Sequence, residues 1–189
     1  MKRFPTKTLA LTACLLLPAA AGAQDFLPKP TAEHQIIARD AGVWNAEGKF
    51  YMSPGAKPIE SKCVETNTML GPMWLISEFK GNFAGLPFKG HAQLGYDPAS
   101  KKFIGTWVDT MSPYMGSMEG AYDAETSTLT MVGATRSAQT GEVEHSTNVT
   151  QWKADGTKVF TMYAGKPGED GKPAADAWKM MEVTYTRAE

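Results

Sequence analysis

Trp107, Asp109, Met111, Tyr114 and Met115 fall within one short stretch, Gly105 to Gly120, and their types admit three kinds of chemistry. A carboxylate buried beside an indole has its proton held more tightly than in water, which suits Asp109 to general acid–base work, with Glu119 in the neighbouring strand as partner. Met111, Met115 and Met118 stand at i, i+4 and i+7, a helical spacing that would align three thioethers for a soft metal such as Cu(I). Pro113 and Gly116 argue against a helix, and on a strand Met115 and Met118 point to opposite faces. His34, His91 and His145 are scattered, so no metal is assigned. The third reading is binding: large apolar side chains around one fixed carboxylate suit the wall of a pocket for a small amphipathic molecule. Against all three stands a structural role, in which Asp109 accepts backbone hydrogen bonds in the connection through Ser112 and Pro113. There is no nucleophile elbow, metal-ligand cluster or phosphate-binding glycine loop.

Whatever this stretch does, strands must position it. Turn signals recur every ten or so residues from Val43 onward, including Ser53-Pro54-Gly55, Gly71-Pro72, Asp97-Pro98, Ser112-Pro113, Thr140-Gly141 and Asp155-Gly156. Between them the spacing predicts ten strands: 43–52, 59–69, 73–81, 86–96, 103–111, 115–122, 128–135, 143–152, 158–164 and 177–187. That strand content far exceeds the roughly 20–25% of ordinary domains, as expected of a sheet closed on itself. Alternation puts Phe103, Gly105, Trp107, Asp109 and Met111 on one face, and Ile104, Thr106, Val108 and Thr110 on the other. Glycines within the strands permit the coiling that closure demands. The expected fold is all-β: a single antiparallel up-and-down barrel. One short helix precedes it, with Thr31 as N-cap, His34 in its first turn and Gly42 placed to end it.

The N-terminus sets the expected compartment. Lys2, Arg3 and Lys7 precede an apolar run, Thr8 to Leu17, and Ala21-Gly22-Ala23 offers the small residues that a signal peptidase requires. Residues 1–23 are therefore read as a signal peptide cleaved after Ala23, with residues 24–189 forming one domain in the periplasm or outside the cell. Leu11-Thr12-Ala13-Cys14 also has the form of a lipoprotein box, but the apolar run before Cys14 is short and continues beyond it, so lipid anchoring there is the weaker alternative. Removing the leader takes three of the 19 basic residues and leaves 16 against 20 acidic ones. With no polybasic patch, neither nucleic acid nor an anionic membrane is an expected partner. Cys63 then stands as the single cysteine, a small buried hydrophobe rather than a nucleophile.

Several blocks carry a resemblance. Gly42-Val43-Trp44 lies between the helix and the first strand, and Arg187 lies at the end of the last. A Gly-x-Trp packed against a late basic residue is similar to the barrel closure of calycins, the lipocalin and fatty-acid-binding barrels. Ala41 to Trp44, Met52 to Gly55, Leu94 to Pro98, Gly105 to Met111 and Tyr185 to Arg187, in this order, resemble the bacterial domain-of-unknown-function family 1579. The resemblance implies a calycin-like barrel closed by Gly42, Trp44 and Arg187, without an established reaction. The expected function is binding of a small apolar or amphipathic ligand by Trp107, Asp109, Met111, Tyr114 and Met115, with no cofactor. The alternatives are an enzyme using Asp109 with Glu119, and a ligand-free module that binds a protein partner.

Overall fold

The computed structural model describes residues 28–189; the expected signal peptide, including Cys14 and the cleavage site after Ala23, lies outside the described residues. Ten strands follow a seven-residue helix α1 (Ala32–Ala38): β1 (Gly42–Phe50), β2 (Ile59–Leu70), β3 (Trp74–Phe83), β4 (Leu86–Asp97), β5 (Lys102–Asp109), β6 (Gly116–Asp123), β7 (Thr128–Arg136), β8 (Val143–Trp152), β9 (Lys158–Ala164) and β10 (Trp178–Arg187). Each strand pairs antiparallel with its sequence neighbours, and β10 returns to β1, giving a closed up-and-down barrel. Closure satisfies every strand edge internally and leaves none to recruit another chain.

The alternation read from the sequence sets the inner face. In β1 Trp44, Ala46 and Gly48 are buried, while Val43, Asn45, Glu47 and Lys49 are exposed. In β10 the period slips between Lys179 and Met181, so Trp178 faces the same side as Met181 while Lys179 joins the outer face and pairs with Glu182. That bulge breaks the even–odd alternation along the strand. The second departure is at β5, which ends at Asp109 rather than Met111. Its carboxylate accepts the backbone N–H groups of Met111 (2.7 Å) and Ser112 (3.0 Å), which turns the chain two residues early.

α1 plugs one end. Thr31 N–H donates to His34 Nδ1 (2.9 Å), and His34 and Ile37 are buried beneath the helix, His34 lying edge-on to Tyr96. The helix finishes at Ala38, before Gly42, whose role lies elsewhere. Gly42 opens β1 at φ +125°, a conformation disfavoured for L side chains, and a Cβ there would sit 2.5 Å from Arg187 Nη1. The Arg187 guanidinium lies 3.9 Å over the Trp44 ring and donates to the Ala41 and Arg39 carbonyls. Trp44 Nε1 in turn donates to the Asp40 carbonyl (2.9 Å). Cation–π contact of this kind adds roughly 0.5–2 kcal/mol to burial of the ring.

Beneath this cap lies a buried ionic cluster. Lys158 Nζ reaches Asp40 Oδ2 (2.9 Å) and Glu65 Oε1 (3.1 Å), and its side chain is 4% exposed. Trp152 Nε1 donates to Asp40 Oδ1 (2.6 Å) and Asn67 Nδ2 to Glu65 Oε1 (2.8 Å). Tyr185 stands in the same cluster, with the Lys158 ammonium 4.3 Å from its ring centre. Burial, and then the Glu65 charge, push the Tyr185 hydroxyl well above its ordinary pKa. Both carboxylates share the one ammonium and take further hydrogen bonds from Trp152 and Asn67, which offset the cost of burying them.

Candidate functional site

The two ends of the barrel differ in what covers them. At the α1 end the inward Trp44, Leu75, Phe103, Leu129, Lys158 and Tyr185 are buried beneath the helix, while the inward Met69, Tyr96, Tyr122 and Trp152 nearer its edge are partly exposed. At the other end Phe50, Phe83, Phe88, Trp107, Met162 and Met181 face inward yet remain partly exposed. Inward side chains are partly exposed at both ends; this end is the open one because, among the described residues, no helix lies across it. Its rim consists of the β1–β2, β3–β4, β5–β6, β7–β8 and β9–β10 connections. Its inner wall is aromatic and thioether-rich: Phe79 lies edge-on to Phe88, which stacks on Trp107 at 6.4 Å and 20°. Trp107 lies flat across Gly90 on the adjacent strand, where a Cβ would sit 2.2 Å from the indole. The missing side chain at Gly90 is what lets the ring lie there.

The five residues expected to form one pocket wall divide into three groups. Trp107 belongs to the inner wall. Asp109 ends β5 at the rim, but both its oxygens are engaged: Oδ2 accepts the Trp107 indole N–H (2.8 Å) and Oδ1 accepts the two turn amides. Met111 is 40% exposed in the turn. Tyr114 and Met115 line a shallow outer groove of about 260 Å³ with Ala134, Thr135, Arg136 and Val143. The strand parity that grouped Met111 with Trp107 fails because the strand stops at Asp109. Met118 points inward and packs beneath α1, so the three methionines do not converge.

Asp109 and Glu119 also part company. Glu119 is register partner to Ile104, on the face opposite Trp107 and Asp109, and pairs with Lys102 on the outside of the barrel. The two carboxylates therefore cannot share a proton or a substrate. Among the described residues no cluster of three or more His, Cys, Asp and Glu side chains is spaced to hold a metal ion. Cys63 is buried across from Gly81, and burial pushes its thiol up, away from the reactive thiolate. A broad, shallow concavity of about 780 Å³ over β10, β1, β2 and β3 is lined by the outward Asn45, Glu47, Lys62, Val64, Lys80, Thr184 and Thr186, together with Ala46, Cys63 and Gly81.

Sequence reasoning missed the Asp40–Glu65–Lys158 cluster. The available signal was parity. Lys158 shares a face with Phe160, and Glu65 shares one with Cys63, so both charges fall on the core side of their strands. Inward charges of opposite sign on separate strands are expected to find each other.

Comparison with known proteins bears on this architecture. A family described as "Protein of unknown function (DUF1579)" matches residues 29–187. Among solved structures, "Crystal Structure of Rv2717c from M. tuberculosis" is similar in fold, with TM-score 0.59 over 85% of this chain and 100% of that one, at 11% identity. A likeness at that identity speaks for the fold alone. No curated protein matches the sequence.

Proposed function

Because the chain belongs to the DUF1579 family of proteins of unknown function, its role has to be read from its own side chains, and we propose that the barrel binds a small apolar or amphipathic molecule through the end opposite α1. One observation carries this reading: the inward Phe88, Trp107, Met162 and Met181 form a partly exposed apolar wall at the end that no described helix covers, while α1 and the Asp40–Glu65–Lys158 cluster close off the other. Partly wet aromatic and thioether surface gains free energy when an apolar ligand covers it, at roughly 25 cal/mol per Å². Methionines on the wall adapt to ligands of differing shape. In this reading the leader is removed and the mature barrel works in the periplasm, where sparingly soluble molecules need a carrier.

The test is titration of the folded protein, residues 24–189, with the neutral dye Nile red. The expected result is saturable binding at one site, with energy transfer from Trp107, abolished by Ser146→Trp, which places an indole on the inner wall of the open end. A second reading rests on a separate observation. Met52, Leu86, Met111, Met115 and Val143 are all exposed at the rim of the open end, an apolar collar that suits a protein partner. Dye binding that survives Ser146→Trp but is lost in Met115→Asp would favour that collar as the binding surface. Absence of dye binding by the wild type overturns the ligand reading.

A further inference from the structure

Asn148 sits at mid-height on the inner face of β8, between Met131 of β7 and Met162 of β9. It is 5% exposed, and its Oδ1 is buried without a hydrogen-bond partner. A buried acceptor left unmade forfeits the water it gave up on folding, so such a group in an apolar wall calls for a partner from outside the chain. Gly133 lies diagonal to Asn148 on β7, and its missing side chain makes room for two polar groups, since a Cβ there would come within 2.7 Å of Ser146 Oγ and 3.2 Å of Asn148 Nδ2. Ser146, the next inward residue toward the rim, thus stands beside Asn148 as a second polar group on the same wall.

We infer that Asn148, with Ser146, forms a polar subsite at the floor of the open end and receives an uncharged hydrogen-bond-donating group of the ligand, such as a hydroxyl. The inference rests on the ligand-binding reading above and narrows its ligand class. Charge decides between a neutral head group and a carboxylate. The inward-facing ionisable residues on the strands of this end are acidic, Asp109 at the end of β5 and Glu144 opposite Thr135. The inward Lys158 lies at the sealed end, committed to Asp40 and Glu65. A fatty-acid carboxylate would thus meet an acceptor and like charge, whereas an alcohol donates to Asn148 Oδ1 and leaves its chain against Phe88, Trp107 and Met162.

Displacement of bound Nile red by 1-decanol, decyl methyl ether and decanoate tests this. The wild type is expected to release dye to the alcohol at about five- to tenfold lower concentration than to the ether, the worth of one donated hydrogen bond, and to resist decanoate. Asn148→Leu, similar in size and unable to accept, should keep its dye affinity and lose the alcohol preference; Asn148→Asp should keep that preference. Equal displacement by alcohol and ether in the wild type, or an unchanged preference in Asn148→Leu, overturns the subsite while leaving the ligand-binding site intact. Failure of the wild type to bind dye removes both. A melting transition for each variant close to that of the wild type separates lost recognition from lost folding, and Asn148→Ala, which also removes the acceptor, serves if Asn148→Leu does not fold.

Discussion

Asp109 shows how a single side chain can resemble a site and act as a joint. It stands at the rim beside an indole, as a ligand-anchoring carboxylate would, yet three internal donors occupy it: the Trp107 ring nitrogen at 2.8 Å and the Met111 and Ser112 amides at 2.7 and 3.0 Å. Each bond to a charged acceptor contributes roughly 1.5–3 kcal/mol, so the carboxylate is worth more to the turn than to a ligand. Asp109→Asn replaces one acceptor oxygen with a donor that faces either the indole or the amides. We expect it to lower stability by about 1–2 kcal/mol in urea denaturation while Nile red affinity stays within twofold. A variant that melts like the wild type and loses the dye would place Asp109 in the binding site instead.

Among the elements, the hairpin connections carry the local constraints. At the α1 end the turns are tied by aspartates: Asp97 accepts from the Ala99 amide (2.9 Å), Asp123 from the Glu125 amide (2.9 Å) and Asp155 from the Thr157 amide (2.9 Å). Hydroxyl bonds from Ser100, Thr126 and Thr157 are the foremost cause that holds these three carboxyls below their ordinary pKa. The β3–β4 turn at the open end is built differently. Ala84 at φ 51° and Gly85 at φ 87° form a two-residue connection of the left-handed kind that matches the twist of the flanking strands. Gly85 suits it, while alanine in that region is strained and asparagine is less so. Ala84→Asn should therefore stabilise the barrel by roughly 0.5–1 kcal/mol, read as a rise of about 1–4 °C in melting temperature. An unchanged or lower transition would mean that the turn adopts another geometry in solution.

The barrel as a whole is asymmetric. One end is sealed by contacts among residues far apart in the chain: Arg187 on Trp44, Trp152 on Asp40, and Lys158 between Asp40 and Glu65. Removing one member of a buried ion pair leaves the other charge unmatched at depth, which costs more than the pair itself contributes. Lys158→Met keeps the volume and strands Asp40 and Glu65 together, and should cost about 3–5 kcal/mol of unfolding free energy. Equilibrium urea unfolding measures this directly, and a loss below about 1 kcal/mol would show that the cluster is hydrated in solution. Because the sealed end anchors α1, the same substitution should expose the buried His34 and Ile37 to hydrogen exchange before the rest of the barrel.

The sequence by itself determined the ten strands and the antiparallel meander, which follow from period-two alternation and from turn residues, both of which act over a few neighbouring positions. The pairing of Gly42 and Trp44 with Arg187 is implied by the resemblance to calycin barrels, not by these local patterns. Tertiary structure alone decided which end is open, and that Asp109 is consumed by its own turn while Glu119 faces the outside. It also decided that Met111, Tyr114 and Met115 leave the inner wall, because β5 stops two residues before the alternation would have it stop. Asp40, Glu65 and Lys158 lie on separate elements with no shared motif, so only closure of the sheet brings them within 3.1 Å. Asn148 gives no local sign either: its lack of a partner depends on what the neighbouring strands place around it, which is a property of register rather than of composition.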